Sequence, residues 1–141
     1  LVHEADDDEL AVRIRENAAR EIPIRQSPDP VALKRFLGES HLVVGSRFHA
    51  LVGALSQGVP SIGTSWSHKY EMLFEEYRCP DMLLSVSAPR DRIDACVSEA
   101  VGAQRASLTE RIRAAAAQLK QETEAMWRAV DEEVFGTPEA V

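Results

Sequence analysis

The sequence predicts an α/β fold, in which a Rossmann-like parallel sheet is flanked by helices and followed by a long C-terminal helix. The first observation is a strand–helix–strand unit: a predicted buried strand at 41–45, an amphipathic stretch at 46–57 and a second predicted strand at 60–65. Such alternation is typical of parallel sheets with helical crossovers. The second is a run of apolar residues at three- and four-residue steps after Ser107, which predicts one helix of about 28 residues.

Composition and charge limit the class of protein. The 141 residues are 45% hydrophobic and 28% charged, as expected of one soluble globular domain. The net charge of −7 argues against nucleic-acid binding through a general basic surface. Cys79 and Cys96 form neither a disulfide framework nor a metal-ligand spacing, so we expect no metal and no cofactor. No apolar run approaches the ~20 residues that span a membrane, and we expect a cytoplasmic protein without a transmembrane segment.

The N-terminal segment predicts a strand end followed by a helix. We interpret His3 and Glu4 as the carboxyl end of a parallel strand, in a domain that is truncated at its N-terminus. Open parallel sheets bind ligands at the carboxyl ends of their strands. Acidic residues 6–8 then open a helix whose apolar face includes Leu10 and Ile14. These acidic residues are interpreted as a solvent-exposed cap, with a metal or sugar site as the alternative.

The next segment predicts a short strand and a second helix. Residues 22–25 have the composition of a strand. Asp29 is expected to cap the helix that follows, with Pro30 at its first position and Gly38 at its end.

Residues 46–49 combine the features of an anion-binding helix start. Ser46 is expected to cap the helix, so that Arg47, Phe48 and His49 occupy its first turn. Unpaired backbone N–H groups and the helix macrodipole favour an anion there. Arg47 adds a fork of donors, and His49 adds a titratable donor. The pattern therefore predicts a phosphate or carboxylate site.

The same helix carries its own packing signal and a defined end. The apolar face, at i, i+3, i+4 and i+7, comprises Phe48, Leu51, Val52 and Leu55. Gly58 is expected to take the left-handed position after the helix, and Pro60 prevents its continuation.

A second strand-to-helix loop repeats this arrangement. Ser67 is expected to cap a helix over residues 68–77, which places His68 and Lys69 in its first turn. Both loops follow strands of one parallel sheet, so their polar residues are expected at the same edge. The alternative is that Lys69 is a solvated cation and His68 a turn residue.

The remaining chain predicts one more strand and two helices. Residues 81–86 predict the last short strand, and a helix follows from Pro89. The predicted buried face of this helix comprises Ile93, Cys96, Val97 and Ala100. Residues 107–110 form a capping box for the long helix, which exceeds what a compact domain needs. We therefore predict a domain over 1–104 and a helix over 105–141 that packs on another domain or on a second copy.

The central segment resembles the polysaccharide pyruvyl transferase family. An apolar strand precedes the residues that stand at the family's matching positions: Arg47, His49, Gly58, Pro60 and Lys69. The specific likeness covers residues 41–76. The family transfers a pyruvyl group from phosphoenolpyruvate to a sugar, usually as a ketal bridging two hydroxyls. Its fold is similar to that of two-domain GT-B glycosyltransferases, so the resemblance implies that this chain is the C-terminal, donor-binding half.

The resemblance also implies partners and residue roles. The partners are phosphoenolpyruvate, a sugar or glycan acceptor and an N-terminal domain of the same enzyme. The residues implied in donor binding are Ser46, Arg47, Phe48, His49 and Lys69, with Glu4, Ser65 and His68 as secondary candidates. Arg47 and His49 are the catalytic candidates: His49 is either a general acid or a donor that only neutralises charge.

Two other functions remain open at this point. A nucleotide-sugar glycosyltransferase of the GT-B type is the first, because residues 54–60 resemble its Glu-Ala-x-x-x-Gly-x-Pro helix. Gly53, however, stands where that pattern has the ribose-binding glutamate. A noncatalytic assembly domain that uses the long helix is the second.

Overall fold

The structure, a computed structural model, describes residues 5–64 and 67–136, and they form an α/β fold. The elements in chain order are α1 (Ala5–Asn17), α2 (Pro30–Gly38), β1 (Val43–Gly45), α3 (Phe48–Leu55), β2 (Ser61–Thr64), α4 (His68–Glu76), β3 (Leu83–Leu84), α5 (Arg90–Val101) and α6 (Arg105–Phe135). The chain divides into two compact units, residues 1–33 and residues 34–141. All three strands lie in the second unit.

The three strands form one parallel sheet in the order β1-β2-β3, which confirms the predicted fold class. Val44 pairs with Ile62, and Thr64 pairs with Leu84. Because every strand runs in the same direction, the carboxyl ends of all three meet at one edge of the sheet. The loops that follow the strands therefore converge at that edge.

The core of the second unit lies between the sheet and its helices. Leu51 and Leu55 of α3 are fully buried, and Phe48 and Val52 pack against the same cluster, which confirms the predicted face of this helix. Burying each such side chain stabilises the fold by about 1.5–3 kcal/mol. Gly58 has φ +76° and ends the helix in the left-handed conformation, as predicted.

The first unit departs from two predictions. Residues 21–27 form no regular element, so the strand predicted at 22–25 is wrong. Pro23 has no N–H to give to a neighbouring strand, which limits any pairing there. Leu10 and Ile14 are 50% and 54% exposed, so the predicted apolar face of α1 is not buried within this unit.

The cap of α2 agrees with the prediction. Asp29 Oδ1 accepts a hydrogen bond of 2.9 Å from the backbone N–H of Val31. Pro30 occupies the first helical position, and Gly38 is the last residue of the helix.

The long helix α6 begins earlier than its sequence pattern indicates. Gln104 is its N-cap residue, so the predicted capping box at 107–110 is wrong because Ser107 already lies inside the helix. In the first turn, Arg105 Nη2 donates a hydrogen bond of 3.0 Å to the carbonyl oxygen of His41. Leu108 and Ile112 are fully buried, whereas Trp127 is 58% exposed. The 31 residues give a length of about 46 Å.

The third strand is shorter than predicted. A single 3-10 turn at Pro80–Met82 occupies the start of the predicted segment, because proline favours the first position of a helical turn. Only Leu83–Leu84 remain to pair with β2. Over residues 5–64 and 67–136, no helix is both long enough and apolar enough to cross a membrane.

Candidate functional site

A cleft of about 770 Å³ lies in the second unit at the carboxyl edge of the sheet. Its polar lining residues are Ser46, Thr64, Ser67, Lys69, Tyr70 and Ser85. Its apolar lining residues are Val44, Ile62, Leu84, Val86, Ala88, Ile93 and Val97. Each strand contributes residues to the cleft, as does the segment that follows each strand. This is the edge at which open parallel sheets bind ligands.

The loop between β1 and α3 brings the Ser46 residue to the cleft. The helix begins at Phe48 with Arg47 in the N-cap position, in an extended conformation with φ −87° and ψ 118°. The prediction that Ser46 caps this helix is therefore wrong by one residue. No side-chain cap hydrogen bond forms at this helix start, so the Ser46 hydroxyl is not used for capping.

Arg47 and His49 lie at the start of α3 with exposed side chains. Neither is among the described residues that line the cleft. The ring of His49 contacts the edge of Phe48, with centroids 6.0 Å apart and an interplanar angle of 81°. Arg47 and His49 thus follow Ser46 by one and three residues, at the start of the helix that succeeds β1.

Lys69 lines the cleft and lies against two aromatic rings. Its Nζ atom is 5.0 Å from the ring centroid of Phe48 and 5.3 Å from that of Tyr70. Both distances are within the range of a cation–π interaction. Phe48, predicted as a donor-binding residue, packs against the core, and its ring contacts this ammonium group.

Tyr70, in the first turn of α4, is bonded to the loop between β1 and α3. Its hydroxyl donates a hydrogen bond of 2.7 Å to the carbonyl oxygen of Ser46. Its ring packs edge to face on Phe48, with centroids 5.4 Å apart. The sequence predicts no role for the Tyr70 hydroxyl, because the carbonyl oxygen that it reaches lies 24 positions away in the chain.

The secondary candidates take different positions. Ser67 is the N-cap residue of α4, as predicted, but no side-chain cap hydrogen bond forms there. His68 points its Nδ1 at Oε2 of Glu71 across 3.4 Å, and its side chain is 82% exposed. It is not among the described lining residues. Glu4 and Ser65 lie outside the described residues.

One wall of the cleft was missed by the sequence analysis. It comes from the segment after β3, including Ser85 and Val86, and from Ile93 and Val97 of α5. Ile93 and Val97 were predicted as core, but each is 39% exposed and faces the cleft. The i, i+4 spacing of two apolar residues does not distinguish a buried helix face from one that lines a cleft.

The two cysteines are buried, and burial disfavours the thiolate form of each. Burial raises the pKa of Cys79 to about 12, with a smaller opposing effect from Arg111. Burial likewise raises the pKa of Cys96, whose Sγ lies 3.4 Å from the carbonyl oxygen of Asp81. Within the described part of the chain, no three His, Cys, Asp or Glu side chains are grouped to hold a metal ion.

Comparison with known families gives one match. Residues 1–68 match the family model described as polysaccharide pyruvyl transferase, which confirms the resemblance predicted from the residues around Arg47 and His49. Lys69 lies one residue beyond the matched range. Neither the curated proteins nor the solved structures gave a significant match.

Proposed function

We propose that this chain binds phosphoenolpyruvate in the cleft at the carboxyl edge of its sheet, because residues 1–68 match the model of the polysaccharide pyruvyl transferase family. The observation that carries the proposal is the presence of the Lys69 ammonium group and the Ser46 residue in one cleft. Phosphoenolpyruvate bears a phosphate and a carboxylate, which require cations and hydrogen-bond donors.

The arrangement of the helices supports an anionic ligand. Both α3 and α4 begin at the carboxyl ends of strands, so their N-terminal N–H groups lie at the same edge of the sheet. Arg47 stands at the start of α3, and we assign its guanidinium to one anionic group of the donor, in bidentate geometry. Lys69 then holds the other, which we assign as the phosphate.

The proposed reaction forms two C–O bonds at one carbon. A sugar hydroxyl attacks the enol carbon of phosphoenolpyruvate and releases its proton, while His49 donates a proton to the methylene carbon. Phosphate departs against Lys69, and a second sugar hydroxyl adds to the same carbon with loss of its proton. Of the two hydroxyl protons released in the whole reaction, one restores His49 and the other leaves with the phosphate. The products are inorganic phosphate and a pyruvyl ketal. If His49 serves only to neutralise charge, another group supplies the proton.

The acceptor side and the setting of the reaction are also proposals. The resemblance implies a preceding domain, which would hold the sugar or glycan acceptor. We propose that the exposed distal part of α6, around Met126 and Trp127, packs on that domain or on a second copy. We propose that the reaction takes place in the cytoplasm, where reducing conditions keep thiols such as those of Cys79 and Cys96 unpaired.

One observation disfavours the nucleotide-sugar alternative. A Cβ atom at Gly53 would lie 3.2 Å from Cδ1 of Leu37, so this position faces α2. Gly53 is where the glycosyltransferase pattern carries its ribose-binding glutamate, and a longer side chain there would collide with Leu37 before reaching a ligand. A compact anionic donor needs no such carboxylate.

Thermal unfolding with added ligand tests the proposal. At about 100 times its dissociation constant, a ligand stabilises the folded state by ~2.7 kcal/mol. We expect phosphoenolpyruvate to raise the melting temperature, and Arg47→Ala and Lys69→Met to abolish the rise. Arg128→Ala is the matched control, because this arginine lies on the exposed distal part of α6.

Other outcomes would replace the proposal. Stabilisation by a nucleotide sugar and not by phosphoenolpyruvate would support glycosyl transfer. No stabilisation by either ligand would favour an assembly domain that uses α6.

A further inference from the structure

We propose that Tyr70 is a positioning residue that fixes the Lys69 ammonium group and the Ser46 loop relative to each other at the cleft. The inference rests on the proposed function, since it concerns how the donor site is held in shape. Tyr70 is 7% exposed, so its ring belongs to the core while its hydroxyl reaches the loop.

The hydroxyl links the first turn of α4 to the loop that follows the neighbouring strand β1. Tyr70 lies in the first turn of α4, after β2, and Ser46 follows β1, 24 positions earlier. Each loop is anchored by its own strand and helix. The 2.7 Å bond to the Ser46 carbonyl oxygen couples the two loops directly. An intramolecular hydrogen bond of this kind, here partly buried, contributes about 0.5–1.5 kcal/mol net.

The ring restrains a side chain that is otherwise flexible. Lysine carries its charge on a four-carbon stem with several rotatable bonds. The rings of Phe48 and Tyr70, set at 85° to each other, come from two different helices, and Lys69 Nζ lies 5.0 and 5.3 Å from their centroids. A cation held by two rings is more ordered before the ligand arrives, which lowers the cost of binding.

These two contacts predict graded effects. When only part of the population has a competent site, the apparent dissociation constant rises by the inverse of that fraction. Tyr70→Phe removes the hydroxyl and keeps the ring, so we expect a dissociation constant for phosphoenolpyruvate about fivefold higher. Tyr70→Leu removes both contacts, and we expect an increase of at least about tenfold.

Tyr77→Phe is the matched control. Tyr77 is also 7% exposed and follows the same helix, but it is not among the described residues that line the cleft. We expect its substitution to leave the dissociation constant unchanged. In the Lys69→Met background, Tyr70→Leu should weaken binding no more than Tyr70→Phe does, because the ring acts through Lys69 whereas the hydroxyl acts through the Ser46 loop.

Lysine NMR gives a readout that a loss of stability alone would not produce. The chain's three lysines, Lys34, Lys69 and Lys120, allow assignment after selective ¹³C-lysine labelling. Protons close to aromatic faces shift upfield, so the Lys69 ε-methylene signal should lie upfield of the other two. Tyr70→Leu should move it toward them, whereas Tyr77→Phe should leave it in place.

The two proposals fail in different ways. If folded Tyr70→Phe and Tyr70→Leu bind phosphoenolpyruvate as the unaltered chain does, with the Lys69 signal unmoved, the positioning role is wrong and donor binding stands. If the unaltered chain does not bind phosphoenolpyruvate, the proposed function is wrong and the donor-positioning role falls with it. The lysine spectra would then still decide whether Tyr70 orders Lys69. Should Tyr70→Leu fail to fold, Tyr70→Phe and Phe48→Leu supply the same comparison.

Discussion

Gly63 of β2 lies directly against the Phe74 ring of α4. A Cβ atom added to Gly63 would come 2.7 Å from Cε2 of Phe74 and 3.0 Å from Cδ1 of Leu83. Phe74 is fully buried, so its ring has little room to move. The middle strand and the helix therefore approach so closely that no side chain fits between them.

We expect Gly63→Ala to lower the free energy of unfolding by about 1–3 kcal/mol, because overpacking forces neighbouring groups out of place. Gly45→Ala is the matched control: Gly45 is also a strand glycine, but nothing lies within 4 Å of its added Cβ. Its effect should stay within about 0.5 kcal/mol. Urea denaturation followed by circular dichroism measures both, and equal losses would contradict this packing.

The N-cap residues of α2 and α4 should differ in how much they stabilise their helices. Asp29 accepts a hydrogen bond from the Val31 N–H, whereas Ser67 makes no side-chain cap hydrogen bond. We expect Asp29→Ala to destabilise its helix by about 1 kcal/mol and Ser67→Ala to have a much smaller effect. Amide hydrogen exchange at Val31 should accelerate about fivefold in Asp29→Ala. An unchanged rate would show that the cap contributes nothing.

Burial of Cys79 predicts a loss of stability in alkaline solution. The pKa of this thiol rises from 9.0 to about 12 on folding. The folded state keeps the proton that the unfolded chain releases, so stability is intact below about pH 9 and falls as the pH rises toward about 12. The raised pKa of Tyr77 acts in the same direction.

The cysteine variant isolates the contribution of this thiol. Cys79→Ala should be less stable at about pH 7, because a buried side chain is removed, but it should lose less stability between about pH 9 and pH 11. Urea midpoints of both proteins across this range make the comparison. Parallel losses in the two proteins would assign the alkaline sensitivity to other groups.

Local sequence signals predicted the central unit because several of them agreed. For α3, the apolar face, the left-handed Gly58 and the helix-terminating Pro60 all indicated one short helix. Burial of Leu51 and Leu55 confirms its face and the φ of Gly58 confirms its end, whereas its start differs by one residue from the prediction. The cap at Asp29 was predicted from the residue type and the proline that follows. Such features depend on contacts within a few residues, which sequence displays directly.

Features that depend on distant residues were missed. The apparent capping box at Ser107 was misleading because Ser107 lies inside α6. The bond from Arg105 at the start of this helix to the carbonyl oxygen of His41, 64 positions away, has no signal in the local sequence. The apolar wall of the cleft depends on which side of α5 faces the sheet edge, and Ile93 was therefore predicted as core. Tyr70 gave no local sign that its hydroxyl would bond to the Ser46 loop.

The two halves of the long helix α6 should differ in local stability. The N-terminal half buries Leu108, Ile112 and Ala115 in the core. Farther along, Met126, Trp127 and Val134 are more than half exposed. A helix without tertiary contacts is only marginally stable in water. Amides of the proximal turns should therefore open only when the second unit unfolds, while those of the distal turns open by fraying. The residue of α6 at which protection from amide hydrogen exchange falls would mark the end of the core of this chain. Protection of later residues would show that a partner binds there.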